Sequence, residues 1–190
     1  MDMDIQNAET KDLSAREEEV IDAELSVAER VGRRGDGGVY LVVADESDEF
    51  NLALRYAARM AQSNRGHVGI LHVISLDDVQ QWSGVENRMK RELREQSEKF
   101  IWSMAKRVNE LNGMIPAIYV REGDAKHDVM IDLINEDMTI KMLVLGASAS
   151  SSGPGPTVAY FTGKGLAKMR VPVVVVPGHL ESQKIDAITS

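Results

Sequence analysis

Residues 139–178 contain the pattern with the clearest chemical potential in this chain. An apolar run ends at Gly146 and is followed by a loop of serine, glycine and proline, a helical stretch and a second apolar run. A buried strand that opens through small residues into a helix exposes several backbone N–H groups in one place, and the helix dipole favours anions there. The loop from Ala147 to Thr157 is therefore a candidate phosphate cradle, although its composition is equally typical of a solvent-exposed loop.

Two further residues suit a nucleotide at the same place. Asp45 directly follows the first apolar run, where a carboxylate can accept a hydrogen bond from a ribose hydroxyl or a base amine. Val73 lies near the end of the second run and can pack on an adenine ring. Each also has a structural interpretation, since Asp is a common cap at a strand-to-helix junction and valine is a common core residue.

Two catalytic motifs fit poorly. Gly163 and Lys164 resemble the end of a phosphate-binding P-loop, but Val158 stands where its first glycine is required and Gly165 replaces its Ser or Thr. The run from Gly146 to Ser150 resembles a nucleophile elbow without the closing glycine. We therefore expect neither a Walker-type ATPase nor an esterase.

Composition excludes several other classes. The net charge of -8 is concentrated at the start, because residues 1–36 hold eleven acidic and five basic side chains. Without a basic stripe, binding to nucleic acid is not expected. The chain has no cysteine and four scattered histidines, so no metal is expected without a nucleotide. It also lacks a long apolar run and a signal-like start, which predicts a soluble, cytoplasmic protein with no membrane contact.

Apolar runs and helical patterns alternate from Val39 onward. The uniformly apolar runs indicate parallel strands buried on both faces, with right-handed helical crossovers. This pattern predicts an open, doubly wound α/β sheet of five parallel strands in the order 3-2-1-4-5, with helices on both faces. The strands are predicted at 39–44, 67–74, 116–120, 142–145 and 173–176, and the helices at 48–64, 85–111, 124–136 and 158–170.

Domain boundaries follow from composition. Residues 1–37 are predicted to form an acidic, partly helical or disordered arm that ends in a glycine-rich hinge. Residues 38–178 form the α/β domain, and residues 179–190 are predicted to be a flexible tail.

Several segments together resemble the universal stress protein (UspA-like) family. They are the strand and turn from Val42 to Ser47, the second strand from Ile70 to Ile74, the turn at Glu122 to Asp124, and the last two strands at Leu143 to Gly146 and Val171 to Val176. The resemblance implies an adenine nucleotide alpha-hydrolase-like fold and a stress-response function without enzymatic activity.

The resemblance also implies an ATP motif, Gly-x2-Gly-x9-Gly-[Ser/Thr], aligned with Gly146, Ala149, Ala159 and Tyr160. The spacing is kept, but two glycines are alanines and Tyr160 replaces the hydroxyl residue. An adenine nucleotide, ATP or another, is thus a possible ligand of a degenerate motif. The implied binding residues are Val43, Asp45, Val73, Gly146, Ala147, Ser148, Ala149, Ala159 and Tyr160.

Two expectations concern partners and activity. The resemblance implies a homodimer formed through the last strand, from Val173 to Val176, since an exposed apolar edge invites pairing, and a signalling protein is a possible further partner. The alternative function is an ATP-binding or weakly ATP-hydrolysing enzyme of the wider alpha-hydrolase-like group. The acidic run from Asp45 to Glu49 opposes that alternative, because it would repel a triphosphate.

Overall fold

The structure is a computed structural model that describes residues 37–45, 47–74 and 86–189, with side chains from Glu95 onward in the helix that begins at Glu86. The predicted arm therefore lies outside the described residues, except for its last position. In chain order the elements are β1 (Val39–Val43), α1 (Asp48–Ser63), β2 (His67–Ile74), α2 (Glu86–Asn112), β3 (Ala117–Glu122), α3 (Lys126–Glu136), β4 (Ile140–Ala147), α4 (Pro156–Phe161), a 3-10 turn (Leu166–Lys168), β5 (Val173–Pro177) and α5 (Ser182–Ile188).

All five strands are parallel and lie in the order β3-β2-β1-β4-β5, which confirms the predicted topology. Every residue of β1 is buried, as expected for the central strand of a sheet covered on both faces. Val42 pairs with Ile70 on one side and with Val144 on the other. The chain reverses its winding direction between β1 and β4, so their carboxyl ends are neighbours.

Two apolar cores lie on opposite faces of this sheet. On one face Leu41 and Leu143 share a core with Met130 of α3 and Phe161 of α4. On the other face Val42 and Val144 pack with α1, α2 and α5, whose buried members include Leu54, Val108 and Ile185. Alanines at 53, 57, 58 and 61 form the buried side of α1, and their small side chains let this helix approach the sheet closely.

Helix ends explain several boundaries. Ser47 caps α1, because its hydroxyl accepts a hydrogen bond of 3.1 Å from the Phe50 N–H. The N-cap position of α3 is occupied by Ala125, which makes no side-chain hydrogen bond, and not by the preceding Asp124. The turn before α3 is instead closed by the backbone, since the Lys126 N–H donates to the Asp124 carbonyl at 3.1 Å.

The fourth helix is shorter than predicted. It ends at Phe161 rather than continuing to residue 170, and only a 3-10 turn follows it. Gly163 and Gly165 occupy the break, where both of their N–H groups donate to the Tyr160 carbonyl. Two glycines so close together weaken a helix interior, which accounts for the interruption.

Residues 182–188 correct the prediction of a flexible tail, because they form helix α5 packed on α1. Ile185 is fully buried. The Asp186 carboxylate accepts hydrogen bonds from Arg55 at 2.9 and 2.6 Å and from Arg59 at 3.0 Å. These bonds lower the pKa of Asp186 to about 2. A buried apolar side chain beside a paired charge fixes the segment to the domain.

Within the described ranges, no helix combines the length and apolar character needed to cross a membrane.

Candidate functional site

The carboxyl ends of β1 and β4 border a small cavity, which we call the strand-tip crevice. Its volume is about 30 Å³. A water molecule occupies about 30 Å³ in the liquid, whereas small-molecule pockets span about 300–1,000 Å³. The crevice is thus at the predicted place but is closed to a nucleotide in this conformation. Its lining residues are Val43, Asp45, Phe50, Ala53, Lys126, Val144, Leu145, Gly146, Thr157 and Val158.

Asp45 organises the turn from β1 into α1. One of its carboxylate oxygens accepts hydrogen bonds from the Ser47 N–H at 2.9 Å and from the Ser47 hydroxyl at 2.5 Å. The side chain is exposed and also borders the crevice. Asp45 therefore fixes the start of α1, as its structural interpretation predicts, and its contact with a ligand stays a prediction.

Glu49, in the first turn of α1, is a site residue that the sequence analysis did not select. Its backbone lies so close to Gly146 that a Cβ at that glycine would overlap the Glu49 carbonyl. A Cβ at Gly178 would lie 2.6 Å from the Glu49 Cγ. The Glu49 backbone N–H and then the Ser148 hydroxyl favour the charged carboxylate and lower the pKa of Glu49. A charged carboxylate consequently sits beside the loop predicted to hold phosphate.

The loop after β4 is folded on itself. The Ser148 N–H donates to the Pro154 carbonyl at 3.1 Å, and the Ser150 N–H donates to the Ser148 hydroxyl at 3.2 Å. The Gly153 N–H donates to the Ser150 carbonyl at 3.3 Å. These three donors are engaged within the loop, so the loop must change conformation before they can hold an anion.

The structure brings only part of the predicted site together. Val43, Asp45 and Gly146 line the crevice, and Ser148 joins them through Glu49. The other predicted positions lie elsewhere, and their contact with a ligand stays a prediction. Val73 packs on the core below the tip of β2, Ala147 is buried opposite Pro177, Ala149 and Ala159 are exposed, and Tyr160 stacks on His127 outside the crevice.

One further residue of the crevice also escaped the sequence analysis. Lys126, the first residue of α3, brings a positive charge to the lining. It follows a loop that leaves the carboxyl end of a strand, which is the signal that could have selected it. Thr157, the last residue of the predicted phosphate cradle, brings a hydroxyl from α4. Among the described residues, no three His, Asp or Glu side chains cluster in a way that could hold a metal ion.

Five parallel strands in this order, with a crevice where the winding reverses, define an open, doubly wound α/β protein. The sequence model of the Universal stress protein family matches residues 40–177, and the chain belongs to this family.

Solved structures of that family share the fold. The chain is 19% identical to the universal stress protein UspA from Lactobacillus plantarum, with a TM-score of 0.55 over 73% of this chain and 97% of that one. It is 18% identical to a family member from Burkholderia pseudomallei, with a TM-score of 0.55 over 75% and 98% of the two chains. A universal stress protein in complex with cAMP is 15% identical, with a TM-score of 0.51 over 74% and 97%. None of the curated proteins compared matches this chain.

Proposed function

We propose that this protein is a non-enzymatic stress-response module whose strand-tip crevice binds an adenine nucleotide with a single phosphate in preference to ATP. Membership of the universal stress protein family and the position of the crevice at the switch point support a nucleotide ligand. The universal stress protein in complex with cAMP supports a ligand of low charge. The observation that carries the proposal is the position of Glu49, which lies against Gly146 and Gly178 at the strand tips and so brings a carboxylate to the loop after β4.

The charge at the crevice favours a ligand with few negative charges. Asp45 and Glu49 oppose the single positive charge of Lys126 among the groups described above. Two like unit charges about 5 Å apart repel by roughly 1 kcal/mol in water and roughly 3 kcal/mol at an effective dielectric of about 20. Each added phosphate charge near Glu49 therefore weakens binding, so a triphosphate is disfavoured against a cyclic or simple monophosphate.

Absence of turnover is the second part of the proposal. The ionisable residues that line the crevice are Asp45 and Lys126, and one oxygen of Asp45 already accepts two hydrogen bonds from Ser47. General base catalysis needs a group free to take a proton from a positioned nucleophile. Prolonged incubation with ATP and Mg²⁺ is accordingly expected to release no ADP, phosphate or pyrophosphate.

Calorimetric titration of the full chain with cAMP, AMP and ATP tests the ligand. We expect cAMP and AMP to bind and ATP to bind at least about tenfold more weakly, a difference of about 1.4 kcal/mol. Glu49→Gln keeps a group that can hydrogen-bond to Ser148 but removes the charge, so it should narrow this ratio. Glu110→Gln, on the exposed side of α2, is the matched control and should leave the ratio unchanged. Tighter binding of ATP than of cAMP by the native chain would contradict the proposal.

Pairing through β5 remains part of the proposal as well. β5 lies at one edge of the sheet, and Val173, Val174 and Val175 are only half buried in the single chain. An apolar sheet edge of this kind is stabilised when a second strand covers it. The expected assembly is a homodimer of this chain.

A further inference from the structure

A second and larger cavity lies between α3 and α4, and we call it the α3–α4 groove. Its volume is about 370 Å³, within the range of small-ligand pockets. It shares no lining residue with the strand-tip crevice, because the first turn of α3 directs Lys126 to the crevice and His127 to the groove. The groove is lined by Ala125, His127, Asp128, Tyr160, Lys164 and Lys168.

Aromatic packing makes one wall of the groove firm. The His127 and Tyr160 rings stack with their centroids 4.2 Å apart and their planes 5° apart. The Phe161 ring stands nearly perpendicular to both rings, with its centroid 5.7 Å from that of His127 and 5.0 Å from that of Tyr160. Behind Tyr160 lies the buried Gly165, where a Cβ would overlap the phenol ring. Since rings confined on several sides keep their orientation, the wall is preorganised.

The charged side chains of the groove are two lysines and one aspartate. The Lys164 ammonium lies 5.4 Å from the Tyr160 ring centroid, and within the described ranges it forms no ion pair. Lys168 reaches Asp128 only at 3.9 Å, and both side chains are more than half exposed. Such a surface pair is worth about 0–1 kcal/mol, so Lys168 can turn to another anion at little cost. The groove therefore carries one net positive charge.

We propose that the α3–α4 groove is a second ligand site that binds a small phosphate monoester, with the phosphate held between Lys164 and Lys168 beside His127. Lysine ammonium groups bind phosphate as point charges, and charge-assisted hydrogen bonds are stronger than neutral ones. The remaining volume, along Ala125 and the Tyr160 ring, accommodates the organic part of the ligand. The proposal does not depend on the nucleotide proposed for the crevice.

His127 serves as an internal reporter for this site. Burial, followed by the neighbouring Lys126 and Lys164, lowers the pKa of His127, while Asp128 opposes the change. A phosphate between the lysines would add negative charge beside the ring and favour its protonated form. Binding should therefore raise the pKa of His127, whereas the exposed His179 is not among the lining residues of the groove and provides a reference.

The test is an NMR titration of the histidine ring protons of the full chain between about pH 5 and 8, with His127 assigned from His127→Gln. The titration is run with inorganic phosphate, with glycerol 3-phosphate, and with sodium chloride at the same ionic strength. We expect both phosphates to raise the pKa of His127 by roughly one pH unit in a saturable manner, and chloride to leave it in place. A shift no larger than that of His179 would overturn the proposal.

Lysine variants separate a built site from general screening of charge. Lys164→Gln with Lys168→Gln should abolish the phosphate-dependent shift, and both side chains are exposed, so the fold should be kept. Lys106→Gln is the matched control, since this exposed lysine also lies 3.9 Å from a carboxylate but is on α2. If the pKa of His127 still shifts fully in the double variant, or if the shift is lost in the control, the proposal is contradicted. Phosphate would then bind elsewhere or act only by screening charge.

Discussion

Two histidines of β2 are held in the neutral form by their surroundings. Both ring nitrogens of His67 and the Nδ1 of His72 are buried without a hydrogen-bond partner among the described residues. The Nε2 of His72 lies 3.1 Å from the Ser97 hydroxyl. Burial lowers the pKa of both rings, and Lys126 adds to the effect at His72. A proton on either ring would be a poorly solvated charge, so the folded state resists protonation.

Stability should therefore fall as the pH falls through the ordinary histidine pKa of about 6.5. Below that pH the unfolded chain takes up protons that the folded chain refuses, so the free energy of unfolding decreases with decreasing pH. His127, whose pKa is also lowered, acts in the same direction. Urea unfolding at pH 7.5, 6.5 and 5.5 measures the effect.

Variants assign this pH dependence to β2. His67→Gln with His72→Gln should flatten the slope of stability against pH, while His179→Gln, at an exposed position, should keep it. An unchanged slope in the double variant would place the pH dependence elsewhere in the molecule.

Ser47 illustrates a contribution that belongs to one hydroxyl. It caps α1 through the Phe50 N–H and donates to Asp45. Ser47→Ala removes both bonds and should reduce the free energy of unfolding by about 1 kcal/mol. The exposed Ser152 provides the control, since Ser152→Ala should stay within about 0.5 kcal/mol of the native chain. Equilibrium urea unfolding measures the free energy of unfolding of both variants. Equal decreases in the two variants would show that the Ser47 cap does not stabilise the protein.

At the scale of elements, α5 shows how a short terminal helix is fixed. Seven residues form too few internal hydrogen bonds for an isolated helix, so its stability depends on tertiary contacts. Ile185 supplies the apolar contact and Asp186 the ion pairs with Arg55 and Arg59. The pKa of Asp186 is about 2, below the ordinary carboxyl pKa of about 4. The ion pairs therefore stabilise the folded chain fully above about pH 4, and this stabilisation is lost as the pH falls toward 2.

Ile185→Ala should release α5 from α1. The expected result is faster hydrogen exchange at the amides of residues 182–188, with the five strands still protected, because the helix can open without the rest of the domain. Ile188→Ala is the matched control, since this side chain is 56% exposed and its loss should leave exchange in α5 nearly unchanged. Exchange that accelerates throughout the sheet in Ile185→Ala would mean that α5 and the sheet unfold as one unit.

For the whole molecule, the order of strands in the sheet could be predicted from the sequence, but the α3–α4 groove could not. Uniform burial of strands such as Val39–Val43 follows from their apolar character, and the crossover rules then limit the order of strands. The crevice could be placed because carboxyl ends of neighbouring strands meet. In contrast, the stacking of His127 on Tyr160 joins residues of two helices whose relative position depends on packing. The position of Glu49 beside Ser148 depends on the same kind of detail.

Sedimentation equilibrium tests the proposed homodimer. The full chain should show about twice the 21.0 kDa mass of one chain. Val174→Glu would place a carboxylate at the half-buried edge strand and should shift the protein toward the monomer, because like charges would face each other across the pair of strands. Ile188→Glu, at an exposed site, should remain dimeric. A single-chain mass for the native protein would exclude pairing through β5.

A crevice of about 30 Å³ has a kinetic consequence. If a nucleotide is to enter, the Glu49 side chain and the serine loop must first part, so only the open fraction of molecules can capture it. The apparent affinity is then the intrinsic affinity multiplied by that fraction. Stopped-flow mixing would accordingly give an observed rate that levels off at high nucleotide concentration, with the plateau set by how often the protein opens rather than by encounters in solution.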